Sequence, residues 1–212
     1  MDTGYSKWRK LDNAALAFPL VTGKNDTRVF RFYCELKEMV VPEILQKALD
    51  QTMETYPLFQ AVLRKGLFWF YLERRDIRPL VKEEEKPPCS RLYIPDKKTL
   101  LFEVTYYKNR INFEVYHALT DGTGAMHFLQ ELVQNYLIFR YPEAELSRIS
   151  VEEESTPGDQ EEDSFSQYYS ANLKRAEQKP RAVRLKGEKL AHEDMKITEL
   201  NISVKEIHGK AK

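Results

Sequence analysis

The sequence changes its period once between residues 100 and 140, and this change constrains the fold more than any other feature. INFEVYH alternates apolar and polar side chains, which is typical of a β-strand, and Ile111, Phe113 and Val115 share one face. After Gly124 the period becomes that of an amphipathic helix of about four to five turns, with Thr123 as its predicted N-cap. The apolar stripe of this helix consists of Phe128, Leu129, Leu132, Val133, Tyr136 and Leu137. The sequence therefore predicts a strand, a tight turn and a helix that packs back onto the strand.

The turn itself, HALTDGTG, carries groups that can do chemistry. His117 continues the row of Ile111, Phe113 and Val115, so we expect its ring at the mouth of the sheet on the inward face. Histidine changes charge near neutral pH and can take a proton from a hydroxyl, amine or thiol and return it later. Asp121 follows four residues on, and two glycines let the backbone turn sharply. Asp, Gly and Thr are also ordinary turn residues, so a catalytic site and a plain polar turn both remain open.

Further elements are predicted on either side of this turn. The predicted N-terminal elements are a helix over 6–18 that Ser6 caps and Pro19 ends, a strand over 29–36, a helix that begins at Pro42, hairpins over 61–75 and 100–117, and a loop over 82–90. Residues 151–163 carry seven acidic and no aromatic side chains, which indicates a solvated linker. A weak helix over 164–178 and a strand over 195–204 follow, and Ser203 caps a helix-like pattern that runs to the last residue, Lys212.

Charge and cysteine content exclude several classes of function. The 33 basic residues balance 33 acidic ones, whereas a nucleic-acid-binding domain usually has a clear basic excess. The two cysteines have no metal-ligand spacing, and the four histidines share none with them, so we expect no metal site and two reduced thiols. No apolar stretch is long enough to span a membrane, and the N-terminus has no signal-peptide core, so we expect a cytoplasmic protein.

Three segments resemble one protein superfamily. HALTDG is similar to the HxxxDG motif of the chloramphenicol acetyltransferase-like superfamily, which includes condensation domains of peptide synthetases, plant acyltransferases and alcohol acetyltransferases. KWRKLDNAALAFPL and TYPLFQAVLRKGLFWFYLE resemble segments of bacterial alcohol acetyltransferase-like members. Condensation domains carry a second histidine directly before the catalytic one, whereas this chain has Tyr116. The chain is therefore more similar to the acetyltransferase branch.

The resemblance implies a fold, a reaction and roles for individual residues. It implies an α/β (α+β) sandwich with a mixed, mostly antiparallel sheet flanked by helices. His117 matches the general base that deprotonates the acceptor, Asp121 a structural aspartate that pairs with an arginine, and Gly122 the glycine that permits the turn. The expected arginine aligns with Gln60, so Gln60 or Arg64 is the possible partner of Asp121. The implied cosubstrate is acyl-CoA and the implied acceptor a small molecule with a hydroxyl or amine, with no metal and no permanently bound cofactor.

The resemblance also implies a division of the chain. Residues 1–150 match an N-terminal lobe with the HxxxDG motif, 151–163 a linker, and 164–212 a connecting helix and strand that lead towards a C-terminal lobe. In the family the active-site channel runs between two such lobes, so we expect the C-terminal lobe of the same full-length chain as a partner. Two alternatives remain: a non-catalytic binding module that keeps the fold, and a condensation-type enzyme that takes its acyl group from a carrier protein.

Overall fold

The computed structural model describes residues 7–24, 26–144, 146, 187 and 201–210. The chain divides into two compact units, Met1–Leu173 and Lys174–Lys212. The predicted acidic linker, the helix over 164–178 and residues 195–200 of the predicted C-terminal strand lie outside the described residues. The division into lobe, linker and connecting segment stays a prediction.

The first unit is built from short strands and two long helices. Its elements are β1 (Trp8–Lys10), α1 (Ala17–Val21), β2 (Val29–Glu35), α2 (Pro42–Thr55), β3 (Ala61–Lys65), β4 (Phe70–Arg74), β5 (Lys82–Glu83), β6 (Phe102–Tyr107), β7 (Arg110–Tyr116) and α3 (Gly122–Arg140), with 3₁₀ turns at Pro57–Phe59 and Pro142–Ala144. One sheet has the order β1-β4-β3 and the other β2-β7-β6-β5. Only the β5–β6 pair is parallel among the described strands. The predicted α/β class with mostly antiparallel strands is confirmed, but the strands form two sheets rather than one.

Two predictions are wrong in part: the helix over 6–18 and the loop over 82–90. Residues 8–10 form an edge strand, with Trp8 opposite Glu73 and Lys10 opposite Tyr71, because pairing with β4 outweighs the local helical pattern. Only Ala17–Val21 is helical, and Pro19 lies in its first turn, where its missing N–H has no partner to lose. Within the predicted loop, Lys82 and Glu83 add a short parallel strand to β6.

The C-terminal end also differs from the prediction. Val204–Lys210 form a helix, α4, so Val204 does not end a strand. Residues 201–203 have no regular secondary structure. The predicted serine cap is confirmed, since the Glu206 N–H donates to Ser203 Oγ at 3.2 Å.

Helix α3 covers one face of the four-stranded sheet, and α2 packs against α3. The ring of Phe128 on α3 stacks on Phe113 of β7, with centroids 4.6 Å apart, and on Phe59, also at 4.6 Å. Between the helices, Asn135 donates to the buried Thr52 hydroxyl at 3.1 Å. The predicted apolar stripe of α3 and the buried face of α2 therefore form the core on this face of the sheet.

On the opposite face of the same sheet, the buried side chains are charged and polar. Arg31 on β2 binds Glu84 at 2.6 Å and Glu114 on β7 at 2.7 Å. The Cys89 N–H also donates to Glu114 at 2.7 Å, so the loop after β5 closes over this face. Burial raises the pKa of Glu114 despite these donors. Burial also acts to raise the pKa of Glu84, but Arg31 and Arg110 outweigh it and leave that pKa lowered.

Candidate active site at the end of strand β7

The sheet fixes the backbone of His117. It is the first residue after β7, and its N–H donates to the Arg28 carbonyl at 2.9 Å, which extends the β2–β7 ladder beyond the Val29–Tyr116 pair. Phe30 lies directly opposite Val115 on the neighbouring strand, and the His117 ring contacts Phe30 at 4.9 Å. The ring therefore lies on the same face of the sheet as Val115, as the alternation predicts.

Two aromatic side chains hold the His117 ring. Phe18 of α1 stacks on it with centroids 4.3 Å apart and planes inclined by 15°, and Phe30 contacts it at an angle of 55°. The residue is partly buried. Among the described residues, no side chain or backbone group forms a hydrogen bond with either ring nitrogen of His117. The ring is thus positioned by its faces, while its polar edge is available to a bound molecule.

Helix α1 is anchored to the neighbouring residue of β7 as well. The Thr22 hydroxyl donates to the Phe18 carbonyl at 2.7 Å and lies 2.7 Å from the Tyr116 hydroxyl, so Tyr116 is the donor in that pair. Burial raises the pKa of Tyr116 to about 12, which keeps the phenol neutral and able to donate. Tyr116, at the position of the extra histidine of condensation domains, is a buried anchor on the polar face of the sheet.

Asp121 holds the start of α3. Its carboxylate accepts a hydrogen bond from the Gly124 N–H at 2.9 Å, and the helix begins at Gly122. Asp121 is therefore the N-cap, and the predicted cap, Thr123, already lies inside the helix. The loop between His117 and Asp121 is further anchored where Arg9 Nη2 donates to the Leu119 carbonyl at 3.4 Å.

The structure does not bring Asp121 together with its two expected partners. Arg64 binds Glu73 on the neighbouring strand at 3.4 Å, and among the described residues no hydrogen bond joins the Gln60 side chain to Asp121. Within the part of the chain that the structure describes, Asp121 makes no ion pair. Its described role is that of a helix cap rather than of one half of an Asp–Arg pair.

The second glycine of the turn is more constrained than the first. A Cβ atom at Gly122 would meet nothing within 4 Å, and the residue does not have a positive φ. A Cβ atom at Gly124 would collide with the Thr120 hydroxyl and contact Asp121 Oδ1 at 3.6 Å. The close approach of Thr120 to the helix start is a feature that the motif alone does not indicate.

No group of three or more His, Cys, Asp or Glu side chains comes together in the described residues to hold a metal ion. None of the helices in the described ranges is long and apolar enough to cross a membrane. His127 lies on α3 and His208 on α4, while His192 lies outside the described residues.

Comparison with known proteins finds likeness in structure but not in sequence. No family model matches the chain, and no curated protein matches it. The starter condensation domain of rhizomide synthetase RzmA matches with a TM-score of 0.52 and 13% identity over 65% of this chain and 39% of that domain. A mutant of that domain matches with a TM-score of 0.51 and 13% identity, over the same shares of the two chains.

Polyketide synthase associated protein 5 from Mycobacterium tuberculosis is less similar, with a TM-score of 0.49 and 17% identity over 67% of this chain and 35% of that one. The chain thus spans well under half the length of these proteins. At these identities the likeness concerns the fold alone: the described part of the first unit has the fold of part of a condensation domain, with His117 at the end of one of its central strands.

Proposed function

We propose that this chain is the histidine-bearing lobe of an acyltransferase that moves an acyl group from acyl-CoA to a hydroxyl or amine acceptor. The observation that carries the proposal is the His117 ring, which is stacked on Phe18 and has no described hydrogen bond to either nitrogen. A histidine that only stabilised the fold would be expected to use its nitrogens on neighbouring groups. The fold shared with a condensation domain supports the proposal, because condensation domains belong to the superfamily that the HALTDG motif resembles.

In the proposed reaction, His117 takes the proton of the acceptor while the acceptor oxygen or nitrogen forms a bond to the thioester carbonyl carbon. The resulting tetrahedral intermediate collapses as its carbon–sulfur bond breaks. The leaving thiolate of CoA takes the proton back from the imidazolium, so the base is regenerated. While charged, the imidazolium lies against the π face of Phe18, an arrangement that stabilises a cation.

The remaining parts of the site are also proposals. Asp121 caps α3 and Arg9 binds the Leu119 carbonyl, so both hold the loop that carries His117 rather than touch the reacting atoms. Because the chain spans 39% of the similar condensation domain, we propose that a second lobe of the whole protein supplies the rest of the acyl-donor pocket.

A carrier-bound acyl donor is the second candidate, and the likeness to a starter condensation domain favours it. The difference lies at Tyr116, which is buried and hydrogen-bonded to Thr22 rather than free to act as a second histidine would. Rates with free acyl-CoA and with the same acyl group on a phosphopantetheine carrier protein separate the two candidates.

The test measures thiol release from acyl-CoA in the presence of short alcohols and amines, using the protein expressed from its complete reading frame. We expect His117→Ala to lower kcat by about 10²–10⁴-fold, the usual contribution of a general base. His127→Ala, which removes a partly buried histidine on α3, is the matched control and should keep its rate. Equal rates for wild type and His117→Ala would remove His117 from the mechanism. If no donor of either kind is turned over, the non-catalytic binding module becomes the correct interpretation.

A further inference from the structure

The tip of the β3–β4 hairpin presents three consecutive large apolar side chains to solvent. Leu67 is 92%, Phe68 88% and Trp69 55% exposed. The turn beneath them is closed by the Gly66 N–H, which donates to the Trp69 carbonyl at 2.7 Å, so the tip is a defined turn rather than a frayed end. Single exposed apolar residues are common on soluble proteins, but three in a row at a protruding turn indicate a surface that something covers.

A basic cavity lies at the base of the same hairpin. Lys65 and Phe70, the pair of residues that flank the tip, line it together with Arg91 and Tyr93, and its volume is about 200 Å³. Among the described residues, neither Lys65 nor Arg91 has an ion-pair partner. The cavity is large enough for a phosphate-sized group, and no described carboxylate forms an ion pair with either of the two cationic residues that line it.

The loop that borders the cavity adds to this positive charge. After Arg91 it continues through Asp96, Lys97 and Lys98, and Asp96 is its single acidic residue between 91 and 98. Asp96 is close enough to act on Tyr93, whose pKa is raised first by burial and then by that carboxylate. The surface around the hairpin base thus has an excess of positive charge in a chain whose formal net charge is zero.

We infer that the hairpin tip inserts into the interface of a phospholipid bilayer with anionic lipids, and that Lys65 and Arg91 bind lipid phosphates at the base of the tip. An apolar tip with a tryptophan suits the boundary between acyl chains and headgroups. Cationic residues that line the cavity at the base of the tip suit the negative surface of such a membrane. A purely apolar protein groove would leave the two cations unexplained. Pro19 and Thr22 of α1 also line the cavity, but the inference uses the hairpin tip, Lys65 and Arg91, none of which has a described contact with His117.

The experiment follows Trp69, one of two tryptophans in the chain, after Trp8→Phe has removed the other. Vesicles are made from phosphatidylcholine alone and from phosphatidylcholine mixed with phosphatidylglycerol. With anionic vesicles we expect a blue shift of the Trp69 emission and quenching by lipids brominated on their acyl chains. Leu67→Ser/Phe68→Ser should weaken vesicle binding by roughly tenfold or more, because both side chains lose their apolar burial. Lys65→Gln and Arg91→Gln should each weaken binding by about fivefold, equivalent to ~1 kcal/mol per cation.

Matched controls use exposed residues elsewhere in the chain. Met39→Ser/Leu80→Ser removes two exposed apolar side chains, and Lys37→Gln/Lys82→Gln removes two exposed cations. Both control proteins should bind anionic vesicles as the parent does. Two outcomes would overturn the inference. The first is the absence of any Trp69 shift with both kinds of vesicle. The second is a concentration-dependent dimer that Leu67→Ser/Phe68→Ser abolishes, which would assign the tip to a second copy of the chain.

A free anion is separated from a membrane by a further arm. Glycerol phosphate and inorganic phosphate are titrated against the parent and against Leu67→Ser/Phe68→Ser, with the Trp69 fluorescence as the signal. If either anion binds as tightly as the anionic vesicles do, and the tip substitutions change nothing, the cavity is a site for a soluble anion and the membrane inference is wrong. If soluble anions bind much more weakly than vesicles, the inference is supported.

Discussion

Alanine in place of the two motif glycines should have opposite effects on stability. Gly122 is the first residue of α3, lacks a positive φ and has open space where a Cβ atom would lie. Gly122→Ala should therefore stabilise the fold by about 0.4–1 kcal/mol, because it restricts the unfolded chain without straining the folded one. Gly124 is only two residues further on, but there a Cβ atom collides with Thr120 Oγ1.

The structure sets the size of the Gly124→Ala effect. Thr120 is branched at Cβ, so two of its three χ1 rotamers direct a heavy atom at position 124 and only one directs a hydrogen there. Relief requires either that one rotamer or a shift of the first turn, and a shift lengthens the 2.9 Å bond from the Gly124 N–H to Asp121. Overpacking of this kind costs about 1–3 kcal/mol. Thr120→Ala removes the colliding atom, so the double variant Gly124→Ala/Thr120→Ala should unfold within about 0.5 kcal/mol of Thr120→Ala alone.

Urea denaturation followed by circular dichroism measures these differences, and thermal melting should shift in the same directions by roughly 2–4 °C per kcal/mol. A Gly124→Ala protein as stable as the parent would contradict the collision with Thr120, and so would a loss of stability that Thr120→Ala does not relieve. The acyl-transfer assay adds a second readout. A Gly122→Ala protein that is stable but inactive would show that the open space beside Gly122 is needed by a bound molecule.

Three further predictions concern the sheet behind the site and helix α3, which covers it. Arg31→Met should destabilise the fold by about 3–5 kcal/mol in urea denaturation at neutral pH, because it leaves the 2% exposed carboxylate of Glu114 without its cation. Arg78→Met, which breaks an exposed ion pair, is the control and should shift the urea midpoint far less. Equal losses for the two variants would contradict the importance of the buried pair. The pKa of Glu84 is lowered in the fold, so Glu84 adds stability above about pH 4.3, and this stability is lost on acidification. The pKa of Glu114 is raised, so Glu114 lowers stability above its folded pKa, and this loss is recovered as pH falls towards about 4.3. In a pH series, Glu84→Gln should flatten the acid loss and Glu114→Gln should remove the acid gain. Phe128→Ala should cost about 3–5 kcal/mol in the same denaturation assay, since its ring is fully buried in the core, and a loss below about 1 kcal/mol would show that the core re-packs.

The long elements of the fold could be predicted from the sequence because their patterns are strong and local. Pro42 marks the start of α2, and the 19-residue helix α3 follows its apolar stripe. Trp8–Lys10 could not be predicted as a strand, because the reason for it lies about 60 residues away, in the free edge of β4. The two-residue strand β5 has no periodicity to detect, and only its contact with β6 creates it.

The sequence predicts the backbone position of the site but not the side chains that surround it. Alternation along β7 places His117 on the inward face, and the structure agrees. In the sequence, Phe18 is one apolar residue of a predicted helix, and no local pattern indicates that its ring stacks on His117. Asp121 was expected to need an arginine, whereas its carboxylate is satisfied by the Gly124 N–H, a partner that every helix start provides. The Phe18–His117 contact joins residues far apart in the sequence, and a single sequence does not contain it. The bond from Gly124 to Asp121, in contrast, is local and joins residues three apart.

Strand β7 is held on both faces up to Tyr116, and this fixes the position of the next residue, His117. Phe113 packs against α3 on one face, while Glu114 and Tyr116 bind Arg31 and Thr22 on the other, and all three β7 side chains are almost fully buried. A strand fixed in this way cannot shift without breaking both layers. His117 is the first residue beyond it: its N–H still belongs to the ladder, but its ring nitrogens have no described partner. The fold thus gives the ring a fixed position without using its polar groups, which is the condition that a general base has to meet before a substrate arrives.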